Sequence, residues 1–185
     1  MIEDIIKTLT MLDEELNGYD EVYEIIISGG AVMSLYINSR RTHDMDVVHG
    51  ILTKELLEAS DRVGEKLKLR PNWLNDAASS FNKTFELGWK DRSLPVFIGN
   101  HLIVKAISNE DLVRSKYISY LTRGFDIDDL IYLVPKREVI IEMMKYSLSN
   151  NVTGRNRFDI ILDTDELLRK LNYGPITESE RRLSF

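Results

Sequence analysis

Cysteine is absent from the chain's 185 residues, which excludes disulfides, thiolate nucleophiles and Cys-ligated zinc. No apolar run approaches the roughly 20 residues that a bilayer-crossing helix needs. The N-terminal MIEDIIKTL is acidic and amphipathic, with no basic region ahead of an apolar stretch, so it does not read as a signal peptide. A cytoplasmic protein without membrane attachment is the expectation. The three histidines, His43, His49 and His101, do not make a zinc set, although His43 neighbours two acids and phosphate contact stays open for it. Positive charge is in deficit: 24 Lys and Arg against 30 Asp and Glu leave a net charge of −6. That balance argues against broad nonspecific nucleic-acid binding and leaves room for a local basic cleft only. The chain has neither an internal repeat nor a low-complexity tract.

What is present is ordinary for a soluble globular protein, with 43% hydrophobic and 29% charged residues. The length buries one proper core and leaves room for a smaller helical domain. Ile5, Leu9, Leu12 and Leu16 recur at three- and four-residue spacing and predict a helix over 2–16, stopped by Asn17-Gly18. Residues 21–28 read as a strand whose Ile25-Ile26-Ile27 run asks for cover on both faces. A short helix over 31–38 follows Gly29-Gly30, and a second strand spans 44–48. Thr53 is placed to cap a helix ending near Val63. Further strands are expected over 66–69, 84–89 and 94–98, the last turning at Gly99-Asn100 into a strand within 101–107. Between them Pro71-Asn72 leads into WLNDAASSF, a short helix or half-ordered loop.

From Asn109 the pattern is helical. Val113, Tyr117, Ile118 and Leu121 form the apolar stripe, while Leu112, Ser115, Ser119 and Thr122 share a face of little burial value. Helix continues from Phe125 to Tyr146 with a restart at Pro135. A linker over 150–157, a last short helix over 165–171 and a poorly ordered charged tail after Gly174-Pro175 complete the chain. The fold class is therefore α+β: a mixed β-sheet with flanking helices over residues 1–107, then a mainly helical region over 108–185.

The chain is organised around Ile25 to Val48, IIISGGAVMSLYINSRRTHDMDVV. Side chains alternate faces along a strand, so Asp44 and Asp46 aim two carboxylates at one point while Met45 and Val47 face a core. Like charges held this close repel, and the pair is comfortable only when well solvated or beside a cation. Glycine at the preceding turn lets backbone approach a ligand closely. Two carboxylates near such a turn suit a divalent metal, and through it the phosphates of a nucleotide. Read alone, Asp-x-Asp is a pair of surface acids and Gly-Gly a tight turn; the combination is more specific than either part.

This combination closely resembles the DNA polymerase beta-like nucleotidyltransferase superfamily, in which a Gly-Gly or Gly-Ser turn and a short helix precede a strand carrying Asp-x-Asp. Here the pattern stands as SGGAVMSLY followed by RRTHDMDVV. The resemblance implies a nucleotidyltransferase-like fold, Mg2+ or Mn2+ held by Asp44 and Asp46, and an NTP whose phosphates lie on Gly29 and Gly30. Ser28 either donates a hydrogen bond there or is a structural strand-end serine. Arg41 either pairs with phosphate or neutralises the aspartates, and the adjacent Arg40 is the weaker of the two. Active members also place a third carboxylate on a neighbouring strand. No equally sharp motif follows Asp46, which leaves Asp76 in WLNDAAS and Glu86 in KTFELGW as candidate catalytic acids, with Asp91 ranking below them.

A second stretch, NEDLVRSKYISYLTRGFDIDDLIYL, resembles small bacterial nucleotidyltransferases of the abortive-infection and toxin-antitoxin type. The matching positions are Lys116, Arg123, Asp126, Asp129 and Leu130. By this resemblance Lys116, with Arg123 two helical turns on, is a candidate point charge for a nucleotide phosphate. Asp126 and Asp129 are read as holding Arg123 or Lys116 and capping the next helix, in preference to binding metal. Trp73 either stacks on a base or packs, and packing is the stronger reading for an isolated tryptophan.

The leading expectation is thus a metal-dependent enzyme that moves a nucleoside monophosphate from an NTP to a hydroxyl on RNA, protein or a small molecule. The alternatives are an inactive toxin-antitoxin or abortive-infection component that binds a cognate toxin or antitoxin, and a nucleotide-sensing module.

Overall fold

The computed structural model describes residues 2, 4–37 and 41–182. Asn38, expected to end the second helix, and Arg40 lie outside the described residues. The chain divides into two compact units, Met1–Leu112 and Val113–Phe185.

The first unit begins with α1 (Ile5–Glu15), capped by the Asp4 carboxylate, which accepts from the Lys7 N–H at 2.9 Å. The helix buries the expected stripe of Ile5, Leu9 and Leu12, with Leu16 beyond its end. Next come β1 (Tyr23–Ser28), α2 (Gly29–Tyr36), β2 (Met45–His49), α3 (Lys54–Leu67), β3 (Leu74–Asn75), β4 (Leu94–Ile98) and β5 (Leu102–Ala106). Among the described residues the five strands form one sheet in the order β3-β2-β1-β5-β4. β1 pairs antiparallel with β2 and parallel with β5, β3 joins β2 in parallel, and β4 lies antiparallel on β5. The isoleucine run of β1 sits at the middle of this mixed sheet and is buried on both faces, as a central strand must be. Glu15 accepts from Arg62 Nε at 2.6 Å and also pairs with Lys66, which ties α1 to α3. Asp13 accepts the backbone N–H groups of Asn100 and His101 at 3.1 and 2.8 Å, which ties α1 to the β4–β5 turn.

Two expected strands are not formed. Lys66 and Leu67 belong to α3, and Lys68 ends that helix in the left-handed conformation. Gly64 stands inside this helix where Trp73 packs: a Cβ there would stand 3.1 Å from the indole. Residues 84–89 end a 3-10 turn (Ser79–Thr84) and enter a second turn, in which Phe85 and Trp89 meet edge to face at 4.9 Å. The alternation of that stretch comes from a turn gathering two aromatics, and Glu86 stands exposed in it.

α4 (Asn109–Arg123) starts in the first unit and ends in the second. Its assumed weak face is as buried as its strong one, since Leu112, Ser115 and Ser119 are each no more than 5% exposed. The second unit adds α5 (Ile127–Leu133), α6 (Arg137–Asn150), α7 (Arg157–Lys170) and α8 (Glu178–Arg181). The Asn156 side chain caps α7 and starts it two turns earlier than expected. Within this core the Tyr117 hydroxyl lies 2.6 Å from Thr164 Oγ1, and burial raises the Tyr117 pKa. Among the described residues no helix is long and apolar enough to cross a membrane.

The tail, expected to be poorly ordered, is folded through Arg182. Ile176 is buried and its N–H donates to Asp165 Oδ1 at 2.7 Å. Thr177 and Glu180 form a reciprocal capping box on α8, and the Glu180 carboxylate receives the Arg137 guanidinium. Arg137 holds the Glu180 pKa at about 2, against an ordinary 4.5. A carboxyl lowered in this way stabilises the fold above pH 4.5 and loses that contribution as pH falls toward 2. Amide protection factors over residues 176–181, taken against the intrinsic exchange rate at each pH, are therefore expected to fall through that window. Glu180→Gln is expected to lower tail protection at neutral pH by about 1 kcal/mol and to abolish the acid step. Unchanged protection factors in both experiments would show that this ion pair does not hold the tail.

Candidate functional site

The turn joining β1 to α2 needs its two glycines for different neighbours. Gly29 adopts φ +71, and a Cβ there would stand 2.6 Å from Asp46 Oδ2. A Cβ on Gly30 would stand 2.7 Å from Thr42 Oγ1. The first approach follows from strand register. Ser28, the last residue of β1, pairs with Asp46, so the Asp46 side chain reaches the residue after Ser28. Met45 and Val47 alternate with it and are buried in the core.

Asp44 directly precedes β2 instead of lying on it. The Thr42 hydroxyl lies 3.0 Å from the Asp44 carbonyl oxygen and 3.3 Å from Asp44 Oδ1, and a single hydroxyl proton is shared between them. The other carboxylate oxygen of Asp44, Oδ2, is paired with the Arg70 guanidinium. Thr42 is itself buried, and its carbonyl accepts the Ile2 N–H at 2.7 Å. One small region thus collects Gly29, Gly30, Thr42, Asp44, Asp46 and Arg70.

Ser28 is buried at the N-cap of α2, yet its side chain makes no capping bond. The first-turn N–H groups of a helix have no intrahelical acceptor, and here the cap side chain does not supply one. Arg41 is exposed beside Thr42. On the far side of β2, Asn75 of β3 lies level with Asp46. Its Oδ1 accepts the Ala77 N–H at 2.9 Å, closing a small turn that leaves Asp76 exposed directly after the strand. Trp73 anchors this strand: it is 1% exposed, and its indole N–H donates to the Ser60 carbonyl at 2.8 Å. Packing, not an open stacking face, is what the ring provides.

In the second unit Lys116 is buried with its charge doubly matched. Its Nζ lies 2.8 Å from Asp126 Oδ1 and 2.6 Å from Asp129 Oδ2. Arg123 reaches the other oxygen of Asp126 at 2.9 Å. Asp126 occupies the N-cap position of α5 at φ +69 but makes no side-chain capping bond. The two acids therefore hold the two cations across the α4–α5 corner.

The donor chemistry beside the diglycine turn fits a hard divalent cation. The Asp46 carboxylate adjoins Gly29, Asp44 lies beside Thr42, which itself meets Gly30, and Mg2+ is usually held by one or two carboxylates together with water and substrate phosphates. Among the described residues no group of three or more His, Asp or Glu side chains is placed to hold a metal. Sequence reasoning passed over Thr42, Arg70 and Asn75 as site members. Only Thr42 carried a local signal, as a small polar residue two positions before Asp44; the others arrive through a loop and a two-residue strand.

A family model described as nucleotidyltransferase of unknown function (DUF6036) matches residues 7–153. The chain belongs to that family. The DUF6036 match runs from within α1 to just beyond α6, so it takes in the diglycine turn, both aspartates, Arg70, β3 and the Lys116 cluster. A nucleotidyltransferase-like function comes with the DUF6036 assignment. No curated protein and no solved structure matches the chain.

The fit of Asp46 against Gly29 has a measurable cost when disturbed. Gly154→Ala, at φ +66 with nothing within 4 Å, carries backbone strain alone, about 1–2 kcal/mol. Gly29→Ala carries similar strain and must also displace a carboxylate. Urea unfolding is expected to show it less stable than Gly154→Ala by at least about 1 kcal/mol. Equal losses would mean that the Asp46 carboxylate does not rest on Gly29.

Proposed function

We propose that this DUF6036 protein is a metal-dependent nucleotidyltransferase with a DNA polymerase beta-like site. In this reading it moves a nucleoside monophosphate from an NTP to a hydroxyl acceptor. The observation that carries it is the seating of the Asp46 carboxylate on Gly29, with Asp44 beside the same turn. A bound Mg2+ or Mn2+, held by Asp44 and Asp46, would polarise the phosphoryl oxygens and offset their charge. Gly29, Gly30 and the first-turn N–H groups of α2 face the phosphates, where backbone donors suit an anion. Ser28 and Arg41 flank that side. Asp44 and Asp46 would hold the cation; in the transfer the acceptor oxygen bonds to the α-phosphorus, the bond to the bridging oxygen breaks and pyrophosphate departs.

The acceptor proton requires a base. Asp76, directly after the strand that pairs with β2, and Glu86, in the turn after the 3-10 segment, are the carboxylates assigned to that role. Lys116 and Arg123, in the second unit, are held by Asp126 and Asp129, which compete with any phosphate for them. With a net charge of −6, a protein or small-molecule acceptor carries as much weight as RNA.

A second reading draws on Asn75. An amide lies level with Asp46, so the protein could bind nucleotide, or a cognate toxin or antitoxin, without transfer. Labelled-nucleotide transfer separates the readings. With each α-labelled NTP and Mg2+ or Mn2+, the wild type is expected to label RNA or protein, or to release pyrophosphate with a small acceptor. Asp44→Asn and Asp46→Asn are each expected to lower the rate at least about 100-fold, as loss of an electrostatic stabiliser does. Full metal-dependent transfer by both variants would remove these residues from the catalytic centre. Saturable NTP binding without any transfer would favour the second reading.

A further inference from the structure

Arg70 pairs with a carboxylate oxygen that the proposed metal site also needs. Asp44 has both oxygens engaged, Oδ1 near the Thr42 hydroxyl at 3.3 Å and Oδ2 with the Arg70 guanidinium. A cation arriving at Asp44 must therefore compete with Arg70. We propose that Arg70 is a nucleotide-positioning residue that exchanges partners: it neutralises Asp44 before metal binds, and pairs with the triphosphate once metal takes its place. The inference rests on the functional reading given above.

The mounting of Arg70 suits such an exchange. Its backbone follows directly on the end of α3, where the Leu69 N–H donates to the Gly64 carbonyl at 2.8 Å. Three residues on, Trp73 is locked between Gly64 and the Ser60 carbonyl. The base of the arm is fixed while the side chain is 50% exposed, so the guanidinium can move without disturbing the core. Two further features make phosphate its natural second partner. Arginine presents a planar fork of donors that matches phosphate oxygens and stays charged throughout. A metal-bound triphosphate at Asp44 would also set negative charge within reach of the group just displaced. An ordinary surface ion pair would lack this coupling, since its loss would change nothing at a ligand.

The exchange predicts opposite shifts from one substitution. Mn2+ binding would be followed by electron paramagnetic resonance without nucleotide. Binding of each of the four NTPs with Mg2+ would be followed by calorimetry, using wild type, Arg70→Ala and Arg70→Lys. With its competitor removed, Arg70→Ala is expected to bind Mn2+ about 2- to 5-fold more tightly. It should bind its nucleotide about 10-fold or more weakly, because a charge-assisted pair to phosphate is lost. Arg70→Lys should fall between wild type and Arg70→Ala in nucleotide affinity. The Arg70→Ala melting temperature serves as the folding control. Both affinities unchanged, both shifted in one direction, or only one shifted would each overturn the exchange. If the wild type binds neither Mn2+ nor any NTP, the metal and nucleotide reading of the site falls instead, and with it this inference.

Discussion

The approach of the Asp46 carboxylate to the bare Cα of Gly29 is the constraint on which the first unit's arrangement depends. It requires glycine at the end of β1, a left-handed φ there, and the antiparallel register that sets Ser28 opposite Asp46. A slip of one residue would turn Asp46 into the core and Met45 outward, so register and acid placement are one property. The buried Met45 and Val47 enforce that register from the other face of the strand. The hydrophobic pattern of β2 thus does the aiming, and the glycine leaves room for what is aimed.

The rest of the candidate site is supplied from a distance by α3 and the loop after it. Gly64 admits the Trp73 ring, the indole is pinned to Ser60, and the chain is thereby delivered alongside β2 as the two-residue strand β3. Arg70 meets Asp44 on the way, and Asn75 draws level with Asp46. Neither residue has a neighbour in sequence that marks it as lying beside the two aspartates. Their positions come from the packing of an aromatic ring against a helix.

Local chemistry explains which features were readable from sequence. The turn, both acids and the buried alternation around them lie within 24 consecutive residues, and their periodicities are short enough to read without the fold. The helix stripe of α1 and the hairpin at Gly99-Asn100 are legible for the same reason. Residues 66–69 and 84–89 were misleading because apolar residues served purposes other than a sheet: a helix end in the first case, and in the second a turn that brings Phe85 onto Trp89. The tail looked unstructured because its anchors are distant, with Arg137 lying 43 residues from Glu180. Composition registers charge there but not pairing.

The Lys116, Arg123, Asp126 and Asp129 group has a bearing on how this chain can diverge. Two positive and two negative side chains balance, and Lys116 and Asp129 are almost wholly removed from solvent. Lys116 bridges both acids, whereas Arg123 is 60% exposed and pairs with Asp126 alone, so exchanging Lys116 strips Asp126 and Asp129 of their shared cation and is far more damaging than exchanging Arg123. Descendants of this sequence would accordingly keep or abandon Lys116 and its two acids together, while Arg123 changes more readily. Genetic drift at that corner is therefore gated by the number of simultaneous replacements, a barrier unrelated to whether any member ever meets a ligand.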